Sequence, residues 1–314
     1  MNRLLVTGAD GFVGRHLVRA ALAVGTTVIA AVLPDAELPQ EWLQPDTESL
    51  VEVVRADLTV EADVQRLARI SADAVVHLAA IASGVAARQD PVAAMQVNGT
   101  GSVWLMAALA ESGNRPRFLF ASTGELYGPG HDLPIPETAP VNPVSDYAAS
   151  KWAAEAALDD LGAQAGIPVI IARAFPHTGP GQTTAFVLPA LAARLLEARR
   201  SGGCNVTVGN LDAVRDFLDV RDVVQAYLAL LQHGVAGEKY NVASGAGRRL
   251  SGCFTILAEM IGVAAVPEQD PALLRPADIP VLIGDPTKLR RATGWAPHFS
   301  FERTLQDLVD AQAH

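Results

Sequence analysis

Short apolar runs recur along the first half of the chain, each separated from the next by a longer segment whose apolar residues follow helical spacing. The runs are Arg3–Thr7, Thr27–Leu33, Val51–Arg55, Ala74–Leu78, Arg117–Ser122 and Pro168–Arg173. Helical spacing lies near Phe12–Val24, Glu61–Ile70, Pro91–Ser112 and Asp146–Ala165. A strand that is apolar on both faces must be covered on both, and helices between successive strands do that when the strands run parallel. The alternation therefore predicts an α/β fold: a Rossmann-like, doubly wound parallel sheet. After Arg173 the pattern loosens. Short strands at Asn205–Val208, Phe217–Leu218 and Lys239–Val242 mix with helices at Val220–His233, Leu250–Ile261 and Glu302–Ala313. We divide the chain into a dinucleotide-binding domain, 1–175, and a smaller C-terminal α/β lobe, 176–314, partly interleaved with it.

Composition narrows the partners. A chain of 314 residues, 50% of them hydrophobic, has enough apolar material for a large core. Asp and Glu number 34 against 24 Lys and Arg, a net charge of -10 that disfavours nucleic acid and anionic membrane surfaces. The two cysteines, Cys204 and Cys253, have neither redox nor metal-ligand spacing, so no metal site is implied. The chain enters its first strand with no leader-like segment, and the uncharged stretch from Ala20 to Pro34 is too short to span a bilayer. A cytoplasmic protein acting on a small molecule is the expectation.

Two motifs carry chemistry. Gly8-x-x-Gly11-x-x-Gly14 follows the first run and opens the first helix, the context of a phosphate-binding turn. The glycines admit a pyrophosphate, and Phe12 and Val13 bring the unpaired N–H groups of the helix start. Tyr147 and Lys151, four apart on a helix, share one face. An ammonium beside a phenol favours the phenolate and would pull the tyrosine toward working pH. Asp57 and Leu58 follow the third run, placing a carboxylate where an adenine amino group would lie or simply starting a helix. Ala79 and Ala80, after His77, are small enough to lie against a cofactor, and His77 itself suits the core. Val32-Leu33-Pro34-Asp35 offers no arginine for a 2′-phosphate, which tilts the expectation within NAD(P)H toward NAD.

Together the glycine turn, Asp57-Leu58, His77–Ala80, Ser122-Thr123 and Tyr147-x-x-x-Lys151 resemble the extended short-chain dehydrogenase/reductases, the NAD-dependent epimerase/dehydratase family that acts on nucleotide sugars. Three later segments are similar to the GDP-4-keto-6-deoxymannose reductase group: Ala172–Gln182, Val208–Phe217 and Leu274–Gly284. The resemblance implies NAD(P)H-dependent reduction of a 4-keto group on a GDP-6-deoxyhexose, of rhamnose or 6-deoxytalose type. It implies Tyr147 as general acid, Thr123 with Ser122 orienting the sugar oxygen, and Lys151 holding the nicotinamide ribose. Arg215 and Arg275 would contact the diphosphate, and Asn210 and Asp278 the base or ribose. It also implies a homodimer through a four-helix bundle of Pro91–Ser112 and Asp146–Ala165, with Trp104 and Trp152 available for contact.

The chain departs from the family pattern in places. Pro176 stands where many relatives carry asparagine. Gln96 stands at the helix position expected to hold asparagine, with Asn98 out of phase with it. Glu125 keeps a dehydratase open, because 4,6-dehydratases use a glutamate here to remove a C5 proton. Against it, Gly124 lacks the hydroxyl or carboxyl that dehydratases place beside that glutamate. A 4-epimerase and a non-catalytic cofactor sensor complete the alternatives.

Overall fold

The computed structural model describes residues 1–44, 47, 49–274 and 279–313. Its main sheet is built from β1 (Arg3–Thr7), β2 (Thr27–Val32), β3 (Val51–Arg55), β4 (Ala74–His77), β5 (Arg117–Thr123), β6 (Val169–Ala174) and an edge strand, Lys239–Val242. The order is Lys239–Val242, β6, β5, β4, β1, β2, β3, and every pairing is parallel. This is the doubly wound sheet expected from the alternating runs, with strand ends moved by a residue. The seventh strand comes from the later part of the chain: Tyr240 lies opposite Ala172. Nothing local in Lys239–Val242 distinguishes a main-sheet strand from a lobe strand.

Apolar side chains cover both faces, as continuous strand runs require. One face packs against helix α1 (Phe12–Ala23) and the helix Val220–His233, burying Leu17, Val18, Val223 and Tyr227. The other packs against Ser102–Ser112 and Asp146–Ala165, burying Leu105, Phe118, Phe120 and Leu158. Each such large apolar side chain contributes roughly 1.5–3 kcal/mol when fully buried. A separate core of Leu191, Leu195, Phe254, Leu257 and Leu305 holds the helices Val187–Ser201, Leu250–Ile261 and Phe301–Ala313 together.

The central helix contains a feature that composition does not announce. Pro91–Ala94 and Ser102–Ser112 are α-helical, but Met95–Gly101 between them is a π-helix. A π-turn takes up an extra residue and rotates the helix beyond it. Gly99 and Gly101 weaken the ordinary helix here. Gly101 also allows close approach: a Cβ on it would lie 3.1 Å from Leu58 Cβ.

The order reverses between β1 and β4, which opens a crevice at their carboxyl ends. The glycine turn follows β1, Leu78–Ala80 follows β4, and Thr123 ends β5. All three border that crevice.

Candidate active site

The glycine turn is shaped by contacts that only glycine tolerates. Gly8 has φ +66°, and a Cβ there would lie 2.9 Å from both N and Cα of Ala79. A Cβ on Gly14 would lie 2.2 Å from the Gly8 carbonyl oxygen. Helix α1 begins at Phe12 with no side-chain cap and no acidic residue in its first turn. Its N–H groups and dipole are thus available to a pyrophosphate, and the residues fit a dinucleotide. Phe12 lies nearly parallel to His177, 7° between planes and 6.2 Å between centroids. His16 Nε2 reaches the Pro180 carbonyl at 3.0 Å. These two contacts tie the loop after β6 to the first helix.

A buried polar chain connects this cradle to the catalytic helix. Thr7 Oγ1 accepts from the N–H groups of Leu78 and Ala79, both at 3.2 Å, and lies 2.7 Å from His77 Nδ1. His77 Nε2 is 2.8 Å from Ser102 Oγ, which donates to the Asn98 carbonyl. Because the Ser102 hydroxyl is committed as donor, the imidazole donates from Nε2 and accepts at Nδ1. Burial, then the charge of Lys151, holds the His77 pKa down to about 3, so the ring stays neutral. It is a satisfied core histidine.

Asn98 corrects the sequence reading, which placed it out of phase. It is fully buried while Gln96 is exposed. Its Oδ1 accepts from Ile81 N–H at 2.8 Å and its Nδ2 donates to Ser150 Oγ at 2.9 Å. Ser150 in turn donates to the Tyr147 carbonyl at 2.8 Å. The π-turn rotates Asn98 inward, a shift that counting in steps of 3.6 misses.

Thr123, Tyr147, Lys151 and Glu125 converge at the end of β5. Thr123 Oγ1 caps the following turn by accepting from Glu125 N–H at 3.1 Å. Burial first, then the Glu125 charge, pushes the Tyr147 phenol above its ordinary value, opposed by a hydrogen bond with Thr123. The direction is opposite to the lowering expected from the Tyr147–Lys151 spacing, and burial is its main cause. Lys151 is 2% exposed, with Nζ 4.3 Å from the centre of the Phe120 ring. Burial lowers its pKa to about 7, with Glu155 opposing.

Glu155 and Arg173 were missed by sequence reasoning, although Glu155 continues the Tyr147, Lys151 spacing by one more turn. They form a buried ion pair. Ser122 Oγ donates to Glu155 Oε2 at 2.8 Å, Arg173 donates to Tyr127 Oη at 2.9 Å, and Tyr127 donates to Asn241 Oδ1 at 2.7 Å. Ser122, expected to face substrate, is therefore turned into this network and 4% exposed. The hydroxyl left at the site is that of Thr123.

The remaining expected residues serve local structure or border the crevice. Asp57 follows β3, with Oδ1 accepting from Thr59 N–H and Oγ1, so one of its oxygens serves the local turn. Leu58 is buried against the central helix, and Ala79 and Ala80 line the crevice partly exposed. Arg215 donates to the carbonyls of Val214 and Ile279. Its neighbour Asp216 accepts instead from Ser244, Gly245 and Gly284. Asn210 Oδ1 accepts from Asp212 N–H at 2.9 Å. Arg275 and Asp278 lie outside the described residues.

Comparison with known proteins agrees with this geometry. Residues 5–308 match the family model described as GDP-mannose 4,6 dehydratase. The chain is 37% identical to a GDP-6-deoxy-D-mannose reductase of Pseudomonas aeruginosa, over 98% of this chain and 96% of that protein. It is 27% identical to a GDP-6-deoxy-D-talose 4-dehydrogenase of Aggregatibacter actinomycetemcomitans, over 96% and 95%. Its fold superposes on the structure of RMD from Pseudomonas aeruginosa complexed with NADPH, with a TM-score of 0.85, 34% identity and 99% of both chains covered.

Proposed function

The chain belongs to the GDP-mannose 4,6-dehydratase family, within the extended short-chain dehydrogenase/reductases, and from that membership we propose that it reduces the 4-keto group of a GDP-4-keto-6-deoxyhexose to the alcohol. It is an NAD(P)-dependent nucleotide-sugar oxidoreductase, and the product is of GDP-rhamnose or GDP-6-deoxytalose type. When bound, the cofactor supplies the hydride for C4. Tyr147 donates the proton to the developing alkoxide, Thr123 orients that oxygen, and Lys151 holds the nicotinamide ribose and its charge near the phenol. The turn Gly8–Gly14, with Phe12 and Val13, holds the pyrophosphate, while Asp57, Leu58, Ala79 and Ala80 border the rest of the cofactor. On the substrate side, Arg215 and Asn210 serve the nucleoside diphosphate, with Arg275 and Asp278 assigned the same task by resemblance.

One observation carries the choice: the residue beside Glu125 is a glycine packed on Phe175, with no room for the second functional group that dehydration would use there. Burial, then the Glu125 charge, raises the Tyr147 phenol, a direction that suits a proton donor in reduction. Glu125, intact and half-buried beside Tyr147, favours the dehydratase as second reading. The space beside it is closed, because a Cβ on Gly124 would lie 2.9 Å from the Phe175 ring. Oxidation of NADPH or NADH by GDP-4-keto-6-deoxymannose tests the reductase; loss of water from GDP-mannose tests its rival.

The quaternary state is part of the proposal. Val92, Met95, Trp104 and Trp152 are exposed on the packed helices Pro91–Ser112 and Asp146–Ala165. Such a patch suits a second copy and a four-helix bundle. Among the described residues, no helix is long and apolar enough to cross a membrane, and we assign the protein to the cytoplasm.

A further inference from the structure

A single carboxylate ties three elements together behind the catalytic residues. Ser122 and Arg173 lie opposite one another near the ends of β5 and β6, and Thr123 lies opposite Ala174 one residue on. Both side chains of the first pair meet Glu155, in the helix Asp146–Ala165. Ser122 Oγ donates to Glu155 Oε2 at 2.8 Å. Arg173 donates from Nε to both carboxylate oxygens, at 3.1 and 3.2 Å, and from Nη2 to Oε1. Arg173 is held in turn: Nη1 donates to Tyr127 Oη, in the turn Gly124–Tyr127 that contains Glu125, and Tyr127 donates to Asn241 on the edge strand. Ser122, Glu155 and Arg173 are all buried. An ion pair so buried adds little net stability over apolar side chains of similar volume, so stability alone does not account for it.

Glu155 stands one turn beyond Lys151 and two beyond Tyr147, on the same face of one helix. Thr123 follows Ser122 directly, as the last residue of β5. The carboxylate therefore joins the strand that presents Thr123 to the helix that presents Tyr147 and Lys151. We propose that Glu155 is a positioning residue of the reaction: through Ser122 and Arg173 it sets the spacing between Thr123 and Tyr147 at the substrate oxygen. This role presupposes the reductase roles given above to Thr123, Tyr147 and Lys151. Proton transfer needs donor and acceptor within about 2.6–3.2 Å, and a displacement of about 1 Å can slow a reaction about 10²-fold. Glu155 touches neither substrate nor cofactor in this role, and acts through the residues it clamps.

Two variants separate positioning from packing. Ser122→Ala removes the hydroxyl and leaves the ion pair in place. The double variant Glu155→Met, Arg173→Met takes out the clamp and both buried charges together, which leaves neither charge uncompensated. Each full-length protein would be assayed for NADPH oxidation by GDP-4-keto-6-deoxymannose, for NADPH affinity by cofactor fluorescence, and for the solvent deuterium isotope effect on kcat. Both variants should lose kcat by about 10–100-fold, while KM for the sugar nucleotide and the NADPH dissociation constant stay within about twofold. Their isotope effect should exceed that of the wild type, because the proton transfer is the step displaced. Unchanged kcat in either folded variant, or a loss of kcat matched by an equal loss of NADPH affinity, would overturn the role; should the double variant fail to fold, Ser122→Ala decides alone. A wild type that reduces no 4-keto sugar would end the reductase reading instead. The variants would then be compared in loss of water from GDP-mannose, where the same three residues act, and an unchanged rate there would overturn the clamp. A wild type inactive in both reactions would remove the catalytic assignments and the positioning role with them.

Discussion

Gly124 lies against the flat of Phe175 so closely that a Cβ on the glycine would stand 2.9 Å from two ring carbons. Gly284 presses on the same ring from another segment, its Cβ position 2.5 Å from Cε2. Phe175 is fully buried between them. The position beside Glu125 therefore cannot take a side chain unless the ring moves, and the second functional group that dehydration would draw on there has no room.

Gly124→Ala should cost about 1–3 kcal/mol, the range for overpacking a filled core. Phe175→Leu in the same chain should return part of it. Denaturant midpoints of the two variants check this, and a Gly124→Ala protein as stable as the wild type would show that the ring yields freely.

Lys151 is expected to weaken the cofactor-free protein in a pH-dependent way. Its pKa falls from 10.5 to about 7 on burial. A base with a lowered folded pKa binds fewer protons folded than unfolded, so its cost is full below about 7 and fades as pH rises toward the unfolded value. Lys151→Met without cofactor should melt above the wild type at pH 6, by a margin that shrinks at pH 9. An unchanged or lower Tm at pH 6 would contradict this.

The Glu155–Arg173 pair should behave as a buried ion pair. Glu155→Gln leaves a buried guanidinium without its anion, at a cost of about 3–5 kcal/mol. The double variant Glu155→Met, Arg173→Met removes both charges and should recover most of the loss. Equal destabilisation in the single and double variants would place the stabilisation in Ser122 and Tyr127 instead.

Exposed Trp104 and Trp152 should report on association. Sedimentation of the wild type at micromolar concentration should give a dimer, and Trp104→Glu with Trp152→Glu a monomer that still binds cofactor. A monomeric wild type would refute the helix-bundle interface.

Much of the fold and the front of the site was legible because the signals are local. Apolar runs place β1 to β6, the period of three glycines defines the pyrophosphate turn, and spacing by four puts Tyr147 and Lys151 on one face. The features that escaped depend on contacts distant in sequence or on an irregular turn. Lys239–Val242 joins the main sheet only through pairing with β6. Asn98 turns inward only because Met95–Gly101 is wound as a π-helix. Ser122 was expected beside Thr123 at the sugar oxygen, and only the distant Glu155, which accepts its hydroxyl, turns it away. The Tyr147 phenol rises mainly because it is buried, and then because of the Glu125 charge, and spacing carries no measure of burial.

The most direct measurement mixes purified protein with GDP-4-keto-6-deoxymannose and NADPH, follows the loss of reduced-cofactor absorbance, and identifies the sugar formed. We expect one NADPH consumed for each sugar reduced at C4. Tyr147→Phe should be slower by about 10²–10⁴-fold while its cofactor affinity is retained. No oxidation of either NADPH or NADH by the wild type, with GDP-mannose losing water instead, would contradict the reductase and give the site to Glu125.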